Sequence, residues 1–354
     1  MKKQIVASLA LILMLLTAIS CSKNKLEIMA VTGATPRAID VEVPGGFNLV
    51  VDGLVKRTYA FSAAALNAFP STWLRTREIS PSGEFLGTYA YTGIPLYNIM
   101  DGVAPEKPKT AAFDRPLDML VTFTSADGKK AVFSYGELAM VDDSLPVVLA
   151  FDRREVLPTK EGAAKTYTHN RFRENLKGLR LICAADPDNA RYLDNVVKVT
   201  FSDPVVTAAG LPVMKKGSKC SSAGITGHWK GKAAPITTAG VSRVDYKNWV
   251  RTGHGMGYKG MSRAEGSSLR EVLKKNFPGC GDKNFYLFIA CDGYRVLLSG
   301  REIFLHETGR SMVIIDKLDG KAPKEGPMLG PLTDYFADRD VWGLSHIVVL
   351  DGIE

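Results

Sequence analysis

The segment Phe123 to Leu138, FTSADGKKAVFSYGEL, returns 165 residues later as Phe288 to Ile303, FIACDGYRVLLSGREI. Superposing the two phrases places Phe123 on Phe288, Asp127 on Asp292, Gly128 on Gly293, Ser134 on Ser299 and Glu137 on Glu302. Such agreement constrains the chain to build the same local structure twice. In both copies an Asp-Gly turn precedes Ser-x-x-Glu, and the turn signals a hairpin.

The correspondence extends outward from these anchors. Tyr91 to Met100 (YTGIPLYNIM) and Glu265 to Leu273 (EGSSLREVL) both read Gly-x-x-Leu-x-x-(Ile/Val)-(Met/Leu), the inward stripe of a short helix. Thr92 with Pro95, and Ser267 with Ser268, supply the helix starts. Pro146 to Asp152 (PVVLAFD) matches Met312 to Asp316 (MVIID), and the closing strands are Asn195 to Phe201 and Ser345 to Leu350. Ahead of the first copy, Phe47 to Val55 predicts a hairpin turning at Asp52-Gly53, and Phe61 to Phe69 predicts a helix capped by Ser62.

The N-terminus is a separate matter. Residues 1–20 carry Lys2 and Lys3, an apolar run from Ile5 to Leu16 and small residues running into Cys21, the pattern of an export signal. The apolar run is too short for a permanent span, which needs about 20 residues. Ala18-Ile19-Ser20-Cys21 resembles the lipobox of bacterial lipoproteins, in which the cysteine is acylated; Ala18 stands where leucine is commoner. That resemblance implies lipid on Cys21 and, with Ser22 following, a periplasm-facing anchor at the outer membrane rather than the inner. An ordinary secretory peptide is the alternative.

Composition agrees with a folded, exported chain: 45% hydrophobic and 23% charged residues exclude wholesale disorder. Export places Cys183, Cys220, Cys280 and Cys291 in an oxidising compartment, where three pairings are open. There is no Cys-x-x-Cys, no Walker loop, no Gly-x-Ser-x-Gly and no Gly-x-Gly-x-x-Gly after a strand. No two histidines lie four apart, so a helical metal site is not indicated. His228, His306 and His346 read as isolated structural residues. The net charge of +8 is localised, with thirteen Lys and Arg against three acids between Leu211 and Lys275. For an exported chain, nucleic acid is a poor explanation; an anionic small molecule, an acidic partner, a phosphate-rich membrane surface or a solvated face are the alternatives.

The order of pieces, "VDGLV", "FSAAAL", "YTGIPL", "ADG…FSYGEL", "LPVVLAFD", "GLRLI" and "VVKVTF", resembles the molybdopterin-binding domain of the sulfite oxidase family. In the second half the likeness rests on Asp292-Gly293-Tyr294-Arg295, Ser299-x-x-Glu302 and Gly326-Pro327. The resemblance implies an α+β fold of two tandem mixed-sheet domains: residues 1–20 a signal, 21–46 a tether, 47–201 the first domain, 202–236 a linker and 237–354 the second. It also implies a pterin-bound molybdenum held by one cysteine thiolate. Neither Arg75 to Gly93 nor Arg243 to Gly266 contains that cysteine, and Asn175 to Leu181 lacks the proline of the family's loop. The expected molybdenum chemistry is therefore absent while the fold is retained.

In place of the thiolate, Arg251 to Gly260 (RTGHGMGYKG) combines glycines, whose amides approach an anion closely, with cations. Arg251, His254 and Lys259 are the expected ligand residues, and a flexible basic loop without a partner is the alternative. His169 to Arg173 forms a second basic loop within Thr159 to Lys177. Two functions remain: a non-catalytic binding lipoprotein for a small anion or periplasmic protein, or a pterin oxidoreductase whose metal lacks a protein thiolate. Replacing Cys21 with serine is expected to release the chain from the membrane fraction, and unchanged fractionation would count against acylation.

Overall fold

Alternating apolar residues from Asn48 onward build strands, and the computed structural model describes residues 41–140, 145–156, 171–174, 176–215, 219–253 and 257–352. The signal, Cys21, His169 and His254 lie outside the described residues. The first half contains β1 (Asn48–Gly53), β2 (Tyr59–Ser62), α1 (Ala63–Leu66), β3 (Thr72–Ile79), β4 (Phe85–Pro95) and α2 (Leu96–Val103). There follow β5 (Leu120–Ser125), β6 (Lys130–Ser134), α3 (Tyr135–Ala139), β7 (Val147–Val156), β8 (Arg171–Glu174), β9 (Leu179–Cys183) and β10 (Leu193–Ser202). The second half contains β11 (Thr226–Trp229), β12 (Lys232–Pro235), β13 (Arg243–Thr252), β14 (Tyr258–Ser268) and α4 (Leu269–Asn276). It closes with β15 (Phe285–Ala290), β16 (Arg295–Ser299), α5 (Gly300–Phe304), β17 (Met312–Leu318), β18 (Met328–Pro331) and β19 (Leu344–Leu350).

Strand pairing is set out in the same way in both halves. β1 runs parallel to β10 as β11 does to β19, and each first strand carries an antiparallel neighbour, β2 or β12. The closing strand pairs with the hairpin of the repeated phrase, β10 with β5–β6 and β19 with β15–β16. The orders β3–β4–β7–β9 and β13–β14–β17–β18 also correspond. They differ in two ladders: β8 pairs with β7 and has no counterpart among the described residues, and β9 also pairs with β10, which fuses the first half into a ten-stranded sheet, whereas the second half stays as sheets of five and four. With 14% helix and 45% strand, the class is mixed-sheet and dominated by strand.

Glu42–Glu354 form one compact unit. Phe113 and Leu117 of the first half lie in the same buried cluster as Leu269, Phe288, Val296 and Ile347 of the second. Leu120 packs likewise with Leu287 and Leu297, so apolar burial holds the halves together.

Four local expectations are revised. Asp52-Gly53 is not a two-residue turn, because Val51 pairs with Tyr59; a Cβ on Gly53 would lie 2.0 Å from the Phe201 oxygen, so the glycine serves close approach to β10. The helix expected from Phe61 shrinks to Ala63–Leu66, although the Ser62 hydroxyl does accept from the Ala65 amide. The stretch 202–236 is not a bare linker, since it contains β11 and β12, four-residue strands too short for periodicity to reveal. Part of the second basic loop, Arg171–Glu174, is a strand against β7.

The shared Gly-x-x-Leu has a steric cause. A Cβ on Gly93 would stand 2.7 Å from the Leu149 oxygen, and one on Gly266 would stand 2.2 Å from the Ile314 oxygen. Gly266→Ala is accordingly expected to lower unfolding free energy in urea by about 1–3 kcal/mol, the usual cost of overpacking. Unchanged stability would mean that the β14–β17 ladder yields without cost.

Candidate functional site

The two Ser-x-x-Glu phrases meet where the halves join. Ser134 and Ser299 cap α3 and α5, accepting from the amides of Glu137 (3.2 Å) and Glu302 (3.1 Å). In the second half the Glu302 carboxylate returns to the Ser299 amide at 2.7 Å, a complete capping box. The Ser134 hydroxyl also donates across the seam to Glu302 at 3.1 Å.

Each glutamate meets an arginine that is itself held by an aspartate five residues earlier. Arg191 donates to Asp186 (2.6 and 2.9 Å) and Glu137 (2.6 Å); Arg339 donates to Asp334 (2.6 and 2.7 Å) and Glu302 (2.6 Å). Both arginines are buried, and the Arg191 guanidinium lies 4.1 Å from the Phe133 ring centroid. This pattern was not anticipated, yet its signal is present: Asp186 to Arg191 (DPDNAR) and Asp334 to Arg339 (DYFADR) each precede a closing strand. Burial and the neighbouring Glu137 push Glu302 up despite Arg339, whereas Asp186, for which burial works in the same direction, is nonetheless held well below the carboxylate range by Arg191.

Cys183, Asp186 and His306 place their donor atoms within 4.8 Å of one another, all buried. A guanidinium nitrogen already stands among them: Arg191 Nη2 lies 2.6 Å from Asp186, 3.5 Å from His306 Nε2 and 3.6 Å from Cys183 Sγ. Burial, then Asp186, pushes the Cys183 thiol well up, which opposes the thiolate a metal requires.

Beside this network opens a cleft of about 660 Å³, walled by the tip and edge of β5–β6, by residues 190–193 and by the start of β15. Lys129, Lys130, Lys283, Arg191 and Arg301 line it, with Asp282 as the carboxylate. Arg301 is fixed by Asp186 (3.1 Å) and Asp188 (2.7 Å), while the three lysines are exposed.

The basic loop expected to bind an anion is arranged differently. Arg251 lies between two indoles, 5.1 Å from the Trp249 centroid and 5.0 Å from that of Trp342, with its Nε buried and unpartnered among the described residues. Burial pushes the Asp340 carboxyl well up, while Arg251 and Lys259 act on it in the opposite sense. Neither cation forms an ion pair with Asp340 among the described residues, the Asp340 Oδ2 is likewise buried without a partner, and His254 lies outside the described residues.

Among the described cysteines, Cys220 and Cys291 form a disulfide with 5.9 Å between Cα atoms, leaving Cys183 and Cys280 free. Burial pushes the Cys280 thiol up to about 11. Among the described residues no thiol lies in the stretches where the resemblance places the molybdenum ligand, so they do not fit that centre. No family model matches the chain, and no curated protein matches it. Among solved structures it is similar to a chain of the sulfane dehydrogenase SoxCD from Paracoccus pantotrophus. Identity is 13%, coverage 88% of this chain and 79% of that one, and the TM-score 0.32, a likeness too slight to inform the site.

His228 and His346, expected to be isolated, face each other from β11 and β19 with Nε2 and Nδ1 2.9 Å apart. Burial lowers both from the ordinary 6.5, and His228 lowers His346 further. A histidine whose folded value is depressed contributes stability above its unfolded value that is lost as pH falls through 6.5 toward the folded one. Asp118, pushed up to about 6 by burial against Lys107, acts oppositely over the acid range. The melting midpoint of the His228→Gln, His346→Gln variant should therefore fall less than that of wild type below about pH 6.5. Parallel curves would mean that the pair is not titrating with unfolding.

Proposed function

We propose that this chain is an exported, lipid-anchored binding protein that holds a small anion in the seam cleft, and that its halves are copies of one fold that has left molybdenum chemistry behind. The observation that carries the reading is the cleft lining, in which Lys130 and Lys283, which form no ion pair among the described residues, stand with Lys129, paired with Asp127, and Arg301, paired with Asp186, Asp188 and Asp282. Arg301 is oriented by Asp186 and Asp188 before any ligand arrives, so little order remains to be imposed on binding. The recurring strand order supports duplication, and the missing thiolate supports a binding role over a redox one.

Calorimetry of the oxidised protein with inorganic phosphate, sulfate and citrate tests the proposal. Loss of Lys130 and Lys283 together, both replaced by alanine, is expected to weaken binding at least tenfold, since a hydrogen bond to a charged group contributes about 1.5–3 kcal/mol. Undiminished binding in that variant overturns the site. A second reading follows from the unpartnered Nε of Arg251: if Arg251→Gln and Lys259→Gln abolish binding while the cleft variant does not, the anion sits at the β13–β14 loop. Stoichiometric molybdenum in the purified protein would restore the pterin oxidoreductase instead.

A further inference from the structure

Nine large apolar side chains are exposed among the described residues, and five of them lie where β13 ends and β14 begins or at the adjoining Tyr335-Phe336. These are Val250 at 53%, Tyr258 at 64%, Met261 at 63%, Tyr335 at 57% and Phe336 at 45% exposure. Val250 faces Met261 across the ladder, and Tyr258 faces Thr252. The Thr252 hydroxyl donates to the Tyr335 carbonyl at 2.7 Å, and the Tyr335 and Phe336 rings lie 5.9 Å apart. Single exposed apolar residues need no explanation, but a contiguous group of this kind marks a surface that is covered by something.

The charge around the group identifies what covers it. β13 is an edge strand, and edges are commonly protected by cations. Within Arg243–Ser268, five Lys and Arg stand against Asp245 and Glu265. Asp245 is taken by Arg263 (2.7 and 2.8 Å), whereas Lys247 and Lys259 form no ion pair among the described residues. Tyrosine, phenylalanine and methionine beside unpaired lysines are the residue types that settle at a headgroup boundary, with rings at the acyl interface and ammonium groups among phosphates. The five side chains are each about half or more exposed, so the group suits a broad, yielding surface that covers them together.

We infer that the β13–β14 hairpin end and the adjoining Tyr335-Phe336 form a membrane-docking surface for anionic phospholipid. This surface acts in addition to any acyl anchor at Cys21 and independently of the seam cleft. The hairpin rests its apolar tips in the interface, and its free lysines set the preference for anionic over neutral headgroups.

Co-sedimentation of residues 42–354, the compact unit that holds every described strand, with phosphatidylglycerol and phosphatidylcholine vesicles tests this. Binding is expected on the anionic vesicles, weakening with salt and falling at least tenfold on the neutral ones. Tyr258→Ser with Met261→Ser is expected to reduce binding to both vesicle types, and Lys247→Gln with Lys259→Gln to reduce binding only to the anionic ones, by about fivefold per cation. Unchanged melting of these surface variants establishes that folding is intact. Absence of binding to anionic vesicles, or full binding by the Tyr258→Ser, Met261→Ser variant, overturns the inference. Self-association of the wild type that this variant abolishes, without vesicle binding, also overturns it and assigns the surface to a second copy of the chain.

Discussion

One guanidinium that never meets water braces the second half where it packs against the first. Arg339 is fully buried, held by Asp334 on one side and Glu302 on the other. An arginine cannot shed its proton, so a position of this kind demands carboxylates with defined geometry. Its stem passes where the first half has Gly136, and a Cβ there would lie 2.3 Å from Arg339 Cδ. Taking away one partner of such a pair leaves an uncompensated buried charge, at about 3–5 kcal/mol. Apolar burial across the seam is non-directional and would tolerate small slides of one half on the other. The polar contacts that do cross the seam, Arg301 to Asp186 and Asp188 and Ser134 to Glu302, do not, because a slide would separate buried partners.

Arg191 occupies the matching position in the first half, but its surroundings are less closed. Arg191 Nη1 and Glu137 Oε2 are buried without partners among the described residues, and the same arginine also approaches Cys183 and His306. The two halves thus share one ion-pair plan and differ in how fully it is satisfied. The less satisfied copy is the one that borders the cleft, through Arg191 and through Arg301, which shares Asp186 with it. Fixed charges at a cavity wall are the arrangement in which an incoming anion gains most, since reorientation has already been accomplished by folding.

Much of the strand and helix order was legible because it is written in local chemistry. The Asp-Gly turns appear at Gly128 and Gly293 with positive φ, and the Gly-x-x-Leu stripes become α2 and α4 with Leu96, Ile99, Leu269 and Val272 buried. What escaped depends on distance in space. β11 is defined by its ladder to β19 and β12 by its ladder to β11, not by their own composition, and the turn between them uses Lys230 and Gly231 in the left-handed region. The ion-pair plan escaped because Ser-x-x-Glu and Asp-x4-Arg lie 37 to 54 residues apart and only the fold brings them into contact. His228 and His346, 118 residues apart, looked solitary for the same reason.

The basic excess between Leu211 and Lys275 shows how far a charge count along a chain can depart from charge in space. Arg243 pairs with Asp316, and Arg263 pairs with Asp245. Arg270 donates to the carbonyls of Ile303 and His306, and Lys275 donates to that of Ala239. Arg251 is enclosed by two indoles beside Asp340. These engagements account for five of the thirteen cations, and Lys247 and Lys259 on the apolar hairpin are among those that form no ion pair among the described residues. The seam cleft meanwhile draws Lys129, Lys130, Lys283 and Arg301 from outside the window altogether. A carboxylate or carbonyl brought near by the fold neutralises a sequence cluster as effectively as a ligand would. Recognition of an external anion therefore falls first to cations that folding leaves without such a partner, Lys130 and Lys283 in the cleft, where Lys129 and Arg301 are already paired.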